Sequence, residues 1–211
     1  MMAVPYTAVG DSLTVGFGAM PGNGFVPVYR GMAERRIGEF VSYENLGING
    51  LTSSELYANM KRSPRFRNSL KEAHIITISI GGNDLIRAAK SASPQNITQN
   101  FNKALTECQS NFSGIMQTLG QLKSGSRSSY IVRAVGLYNP YPQVEAATLW
   151  VQQFNRYING YWGGNYAVAN IFSSFQGREH ELLSFDHLHP NGRGYKVIAE
   201  HLHRLGYYPL A

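Results

Sequence analysis

Cysteine is almost absent from this chain of 211 residues, which contains Cys108 alone. A single cysteine excludes an internal disulfide and leaves no second thiolate for a metal site. Cys108 falls on the apolar side of a predicted helix, where we expect it to pack. No motif typical of metalloenzymes is present, so we expect neither a metal nor a cofactor. A metal site is kept as a minor alternative on four side chains near the carboxyl end: His180, Asp186, His187 and His189.

Long apolar runs are also missing. The first residues, 1–5, show no charged region followed by an extended apolar stretch, which argues against a Sec-type signal. No segment is long enough to span a membrane as a helix. Synthesis and residence in the cytoplasm are therefore the default expectation.

Acidic residues are fewer than basic ones, with 13 Asp and Glu against 19 Lys and Arg, a formal net charge of +6. The cations are scattered in short groups such as Arg35-Arg36, and no recognised nucleic-acid motif accompanies them. We therefore expect no nucleic-acid partner and favour a solvated basic surface. Transient attraction to anionic lipid headgroups is the alternative.

Two familiar glycine motifs are incomplete. The spacing Gly16-x-Gly18 continues to Pro21 where the dinucleotide-binding pattern requires glycine, so we do not expect a dinucleotide site. Thr14 stands where the nucleophile elbow of α/β-hydrolases, Gly-x-Ser-x-Gly, requires its second glycine, so that fold is not indicated.

Short apolar runs alternate with helical patterns along the whole chain. This alternation predicts one domain, residues 1–211, of the α/β class with a parallel sheet covered on both faces. The predicted strands are 4–9, 41–46, 75–80, 130–135 and 166–171. The predicted helices are 25–37, one capped by Thr52 or Ser53, 97–122, 144–158 and 194–205. Residues 88–96 could form a loop over a site.

Polar side chains that suit acyl transfer follow the predicted strands, where a parallel sheet collects its catalytic groups. Ser12 offers a hydroxyl that needs a base to become nucleophilic. His189 can be that base, and Asp186 three residues earlier can fix its tautomer. The Ser12 and Gly50 amides with the Asn83 side chain can form an oxyanion hole. Without its partners, Asp11-Ser12 would indicate only a helix cap.

Four blocks, in this order, resemble the conserved blocks of the GDSL, or SGNH, hydrolases: residues 10–13, 45–50, 81–84 and 186–190. The resemblance implies a flavodoxin-like three-layer α/β/α sandwich with a central five-stranded parallel sheet. It also implies hydrolysis of carboxylic esters, with Ser12, Asp186 and His189 as the triad and with Ser12, Gly50 and Asn83 as the oxyanion hole. Residues 137–142, 175–179 and 183–186 are further similar to the spore-germination lipase branch of Bacillus-type bacteria, whose members have phospholipase B-like activity.

The expected substrate is therefore a small-molecule or lipid ester, including phospholipids, with a role in spore germination and association with the spore coat. Within the same chemistry, a carbohydrate O-acetylesterase is the alternative. From another class, a non-catalytic spore-coat or surface-binding protein is the alternative, although it would not need the complete set of reactive groups. Leu13, Asn49 and Asn139 are candidates for substrate binding, and aromatic side chains could line an acyl groove: Phe17, Tyr138, Tyr141 and Trp150. The sequence leaves the oligomeric state open.

Overall fold

The fold, taken from a computed structural model, is built on a five-stranded sheet whose strands are all parallel, in the order β2-β1-β3-β4-β5. The structure describes residues 3–91, 93, 95–126, 128–161 and 163–211. The strands are β1 (Val4–Gly10), β2 (Val41–Gly47), β3 (Ile75–Ser79), β4 (Ile131–Val135) and β5 (Tyr166–Ala169). The predicted parallel sheet is confirmed, and each predicted strand differs from the observed one by two residues or fewer at either end.

Helices fill the connections between the strands, so that every crossover packs back on the sheet. They are α1 (Ser12–Val15), α2 (Phe25–Ile37), α3 (Ser53–Arg62), α4 (Pro64–Glu72), α5 (Gly82–Lys90), α6 (Ile97–Lys123), α7 (Glu145–Asn159), α8 (Phe172–Phe175), α9 (Glu179–Leu182) and α10 (Gly192–Arg204).

Two apolar clusters lie on opposite faces of the sheet. One joins the sheet to α3, α4, α6 and α7 through side chains such as Leu56, Leu70 and Phe154. The other joins it to α2 and α10 through Phe25 and Ile198. Because an all-parallel sheet exposes neither face to water, this arrangement is the three-layer α/β/α sandwich that the resemblance implied.

The strand register aligns the carboxyl ends of the three central strands. Gly10 at the end of β1 pairs with Gly47 of β2 on one side and with Ser79 of β3 on the other. Ser79 in turn pairs with Val135 at the end of β4. The loops that follow these residues therefore start from one edge of the sheet, which is where a parallel sheet places its site.

The segment 88–96 differs from the predicted loop. Residues 88–90 are the last turn of α5, in which Leu85 and Ala88 are buried one helical turn apart. This i,i+3 pair anchors the helix against the core, so the loop begins only at Ser91. Ala92 and Pro94 lie outside the described residues.

Candidate active site

The turn that carries Ser12 is sharp because Gly10 has a positive φ of 147°. A side chain at Gly10 would also collide with the backbone oxygen of Ser79 on the neighbouring strand. Asp11 caps α1 by accepting a hydrogen bond from the Leu13 amide at 3.1 Å. Ser12 is therefore the first residue of α1, and its backbone N–H lacks a partner within the helix.

Ser12 and His189, 177 residues apart in the chain, are in direct contact. The Ser12 Oγ lies 2.9 Å from His189 Nε2, and His189 Nδ1 lies 2.6 Å from Asp186 Oδ2. Asp186 Oδ1 accepts hydrogen bonds from the His189 and Leu188 amides and from the Ser184 hydroxyl. The three predicted triad side chains thus form one continuous hydrogen-bonded chain.

Asp186 is held in its ionised form. Loss of hydration acts to raise the pKa of its carboxyl group, but the hydrogen bonds from His189, Leu188 and Ser184 outweigh it and hold the pKa well below its usual range. An ionised Asp186 fixes the imidazole with its proton on Nδ1, which leaves Nε2 free to accept the Ser12 proton.

The loop that carries His189 is fixed from two sides. The Phe17 ring packs edge-on against the imidazole, with ring centroids 4.7 Å apart. On the other side, the Tyr138 hydroxyl donates to the Leu188 carbonyl oxygen at 2.6 Å. Neither contact follows from the sequence, because each joins loops that are distant in the chain.

Asn83 lies in the first turn of α5, with its amide oriented by the loop that follows β2. Its Nδ2 donates to the Leu51 carbonyl oxygen at 3.0 Å, which leaves the second hydrogen of this amide for another acceptor. Gly50 precedes Leu51 with a φ of 74°, in a turn closed by a hydrogen bond from the Leu51 amide to the Ile48 carbonyl oxygen. Asn83 and Gly50 are thus held in one loop assembly.

Ser53 and Asp84 attach that assembly to α5. The Asp84 carboxylate accepts hydrogen bonds from both the hydroxyl and the amide of Ser53, at 2.6 and 3.0 Å. Burial raises the pKa of Asp84 above its ordinary value. The helix start that carries Asn83 is therefore tied to the start of α3, a contact that no sequence pattern revealed.

A groove of about 370 Å³ opens beside the triad. Ser12, Asn83 and His189 lie at one end, and Lys90 also lies on its lining. Most of the wall between them is apolar and comes from α1, α5, α6, α7 and the loop after β4: Leu13, Leu85, Ile86, Ala89, Phe101, Leu137, Tyr138, Tyr141, Ala147, Trp150 and Val151. Phe101 and Trp150 stack on each other in this wall.

The three candidates for substrate binding have different positions. Leu13 lines the groove beside Ser12. Asn139 lines it too, but its side chain bonds the main chain of Tyr141 and the hydroxyl of Thr148, so it shapes the loop after β4. Asn49 is exposed and is not part of the groove lining. Phe17 is also outside the lining and contacts His189 instead.

A buried carboxylate lies directly beneath the nucleophile. Asp11 Oδ1 accepts a hydrogen bond from the Ser79 hydroxyl at 2.8 Å, and Ser79 Oγ lies 2.7 Å from Thr14 Oγ1. Burial raises the pKa of Asp11 from 3.8 to about 6. Thr14, which breaks the α/β-hydrolase pattern, therefore ties α1 to β3 in this protein.

Metal-ion clusters and membrane-spanning helices are both absent from the described residues. Within residues 3–91, 93, 95–126, 128–161 and 163–211, no group of three or more His, Cys, Asp or Glu side chains is arranged to hold a metal ion. Among the helices formed by these residues, none combines the length and the apolar character needed to cross a membrane. Cys108 is buried, as predicted.

The family model for GDSL-like lipases and acylhydrolases matches residues 6–202. The chain belongs to this family. It is a carboxylic ester hydrolase of the lipase and esterase type, and its substrate is a small-molecule ester. The non-catalytic alternative is thereby set aside.

Two relatives of more than 30% identity agree with this assignment over nearly the whole chain. The chain is 37% identical to the spore germination lipase LipC of Bacillus licheniformis over 208 residues, which cover 98% of each chain. It is 36% identical to the lipase Lip_vut3 from a goat rumen metagenome, with a TM-score of 0.92 over 99% of this chain and 100% of that one. Axe2, an acetylxylan esterase from Geobacillus stearothermophilus, has a TM-score of 0.66 over 96% of this chain and 95% of that one. At 16% identity, this last likeness shows the fold alone.

Proposed function

We propose that this hydrolase cleaves esters of apolar acyl chains, such as lipids and phospholipids, through an acyl-enzyme on Ser12. The Ser12 Oγ attacks the ester carbonyl carbon while His189 Nε2, 2.9 Å away, takes its proton. His189 then gives this proton to the departing alkoxide, and the carbon–oxygen bond of the ester breaks. Water attacks the acyl-enzyme by the same route, which releases the acid and restores Ser12.

Three N–H groups are proposed to stabilise the oxyanion that forms on the carbonyl oxygen. The Ser12 amide is available because it is the first N–H of α1. The second hydrogen of Asn83 Nδ2 is available because the first is bonded to Leu51. Gly50 would supply the third N–H, and its bare Cα would let the substrate approach closely. Each such donor typically contributes about 3 kcal/mol to the transition state.

The apolar groove is the observation that supports a long acyl chain over an acetyl group. An acetyl group would occupy only the end next to Ser12 and would leave the wall formed by Ile86, Phe101 and Trp150 without a function. A longer acyl chain would cover this wall and gain about 0.8 kcal/mol for each buried methylene group. The carbohydrate O-acetylesterase alternative predicts no such gain.

A hydrolysis profile over acyl length tests the proposal. The kcat/KM for nitrophenyl esters should rise from acetate to octanoate, up to the acyl length that fills the groove. A phospholipid should also be cleaved. Ser12→Ala should abolish hydrolysis and labelling by an organophosphonate, whereas Ser110→Ala, on the exposed face of α6, should leave both unchanged. Preference for acetylated sugars would refute the lipid assignment, and full activity of Ser12→Ala would refute the mechanism.

We further propose a role in spore germination, which the name of the Bacillus licheniformis relative states for that protein, and an association with the spore coat. Deletion of the gene should slow the loss of spore refractility and lower the release of fatty acids on germination. Restoration by the wild-type chain but not by Ser12→Ala would connect this phenotype to ester hydrolysis. Immunodetection in spore-coat extracts against vegetative lysates would test the location.

A further inference from the structure

Large apolar side chains are exposed on the loop that carries the proposed catalytic histidine and on the loop packed against it. Phe185 is 93% exposed and Met20 is 75% exposed, while Phe17 is 46% exposed although its ring contacts His189. Tyr141, on the lining of the groove, is 42% exposed. A group of exposed apolar side chains, unlike a single one, is typical of surfaces that contact a partner.

These side chains belong to two loops that pack on each other. The loop after α1 contains Phe17 and Met20, and the loop before α10 contains Phe185. Gly18 brings the two loops together, because a Cβ at this position would lie 3.0 Å from both Ser184 Oγ and His189 Cβ. Phe17, Met20 and Phe185, which we name the apolar rim, therefore lie beside the triad.

Positive charge accompanies the apolar rim. Arg193 and Lys196 of α10 line a shallow depression together with Met20. Within the part of the chain that the structure describes, neither cation forms an ion pair. Glu181 in the same depression is already paired with Arg178 at 2.8 Å. The rim is thus a set of apolar side chains flanked by two cations without a close ion pair among the described residues, a composition that suits binding to anionic lipid.

We propose that the apolar rim docks on the surface of an anionic lipid aggregate. Phe185 and Met20 enter the headgroup region, and Arg193 and Lys196 contact lipid phosphates. This proposal rests on the proposed function, since a lipid ester would then pass from the aggregate to Ser12 without crossing water. A lipid surface is favoured over a protein partner because Phe17 of the rim contacts His189, which lies at the end of the groove where the proposed substrate would react.

Vesicle binding tests the docking proposal directly. The binding measurements use the Ser12→Ala chain and its variants, so that the lipid stays intact. Vesicles of phosphatidylglycerol and phosphatidylcholine should co-sediment with the chain better than vesicles of phosphatidylcholine alone. Met20→Ser with Phe185→Ser should weaken this binding at least tenfold, because two large apolar side chains no longer enter the headgroup region. Arg193→Gln with Lys196→Gln should remove the preference for anionic vesicles and most of its salt dependence.

Phe40→Ser is the matched control. Phe40 is 54% exposed, but it precedes β2 and so lies at the amino-end edge of the sheet, away from the rim. Its loss should leave vesicle binding unchanged. In the wild-type background, the rim variant should hydrolyse a soluble butyrate ester at the wild-type rate, which also verifies its folding.

The outcomes separate the two proposals. Absence of vesicle binding by the parent Ser12→Ala chain would overturn the docking proposal. Equal vesicle binding by the parent and the rim variant would also overturn it, as would a loss of binding with Phe40→Ser as large as that of the rim variant. The remaining outcome combines two results: the Ser12→Ala chain binds vesicles through the rim, and the wild-type chain releases no fatty acid from them. This outcome would support docking and refute the lipid substrate.

Discussion

The far end of the groove should set the longest acyl chain that the enzyme uses well. Asn83 and Ala89 both line the groove and are six residues apart on α5, so they are separated by about 9 Å at a rise of 1.5 Å per residue. Ala89 is exposed and small, and a phenylalanine at this position would place a ring in the far part of the groove. Ala89→Phe should therefore shorten the groove without disturbing Ser12.

The size of the effect follows from the apolar surface that the acyl chain buries. Each methylene group contributes about 0.8 kcal/mol, or roughly fourfold in kcat/KM. The four additional methylene groups of an octanoate ester over a butyrate ester would then contribute up to about 3 kcal/mol, a factor on the order of 10². Ala89→Phe should remove most of this advantage and leave the kcat/KM of the butyrate ester within about twofold, since the butyrate would end before the new ring.

The assay is hydrolysis of nitrophenyl esters of graded acyl length, at concentrations below those at which they form micelles. Ser110→Phe is the matched control, because Ser110 lies on the exposed face of α6 and is not part of the groove lining. An equal decrease in kcat/KM for the butyrate and octanoate esters would show that Ala89→Phe disturbs the site as a whole. An unchanged octanoate preference in a correctly folded variant would refute the placement of the acyl chain.

Three further changes test the site and its support. Asn83→Ala should lower kcat about 10² to 10³-fold in steady-state hydrolysis because it removes an oxyanion donor, and the loss of its hydrogen bond to Leu51 should cost only about 1 kcal/mol of stability; an unchanged kcat would exclude that role. Asp11→Asn should become more stable relative to the wild type as the pH rises from about 4 to about 8. Burial raises the pKa of Asp11 from 3.8 to about 6, so the wild-type folded state loses about 3 kcal/mol as this carboxyl ionises over that range, whereas Asn has no charge to bury. Parallel pH profiles of Tm for the wild type and Asp11→Asn would contradict this. Gly10→Ala should lower Tm by about 10 °C, since its Cβ would collide with the Ser79 carbonyl oxygen; a melting curve like that of the wild type would refute the clash.

The sheet, and the contact between Ser12, His189 and Asp186, could be predicted from the sequence because both depend on local patterns. Buried strands such as β3 are short β-branched runs. Parallel strands have their carboxyl ends at one edge of the sheet, independently of the lengths and positions of the connecting helices. Ser12 follows β1 directly, and Asp186 and His189 share one turn, so few long-range contacts were needed to place them. The contacts of Phe17 and Tyr138 with the histidine loop had no such local pattern.

Helix α5 shows why the groove was harder to predict than the triad. Its first turn lies within a motif that also resembles a loop, since glycines precede Asn83. Its last turn, residues 88–90, belongs to the segment 88–96 for which the sequence suggests a loop over the site. The same helix positions Asn83 at its start and presents Ile86 and Ala89 to the groove, one helical turn apart. One proposed oxyanion donor and part of the wall that would receive the acyl chain are therefore fixed by the same helix, and a shift of α5 would change turnover and chain-length preference together.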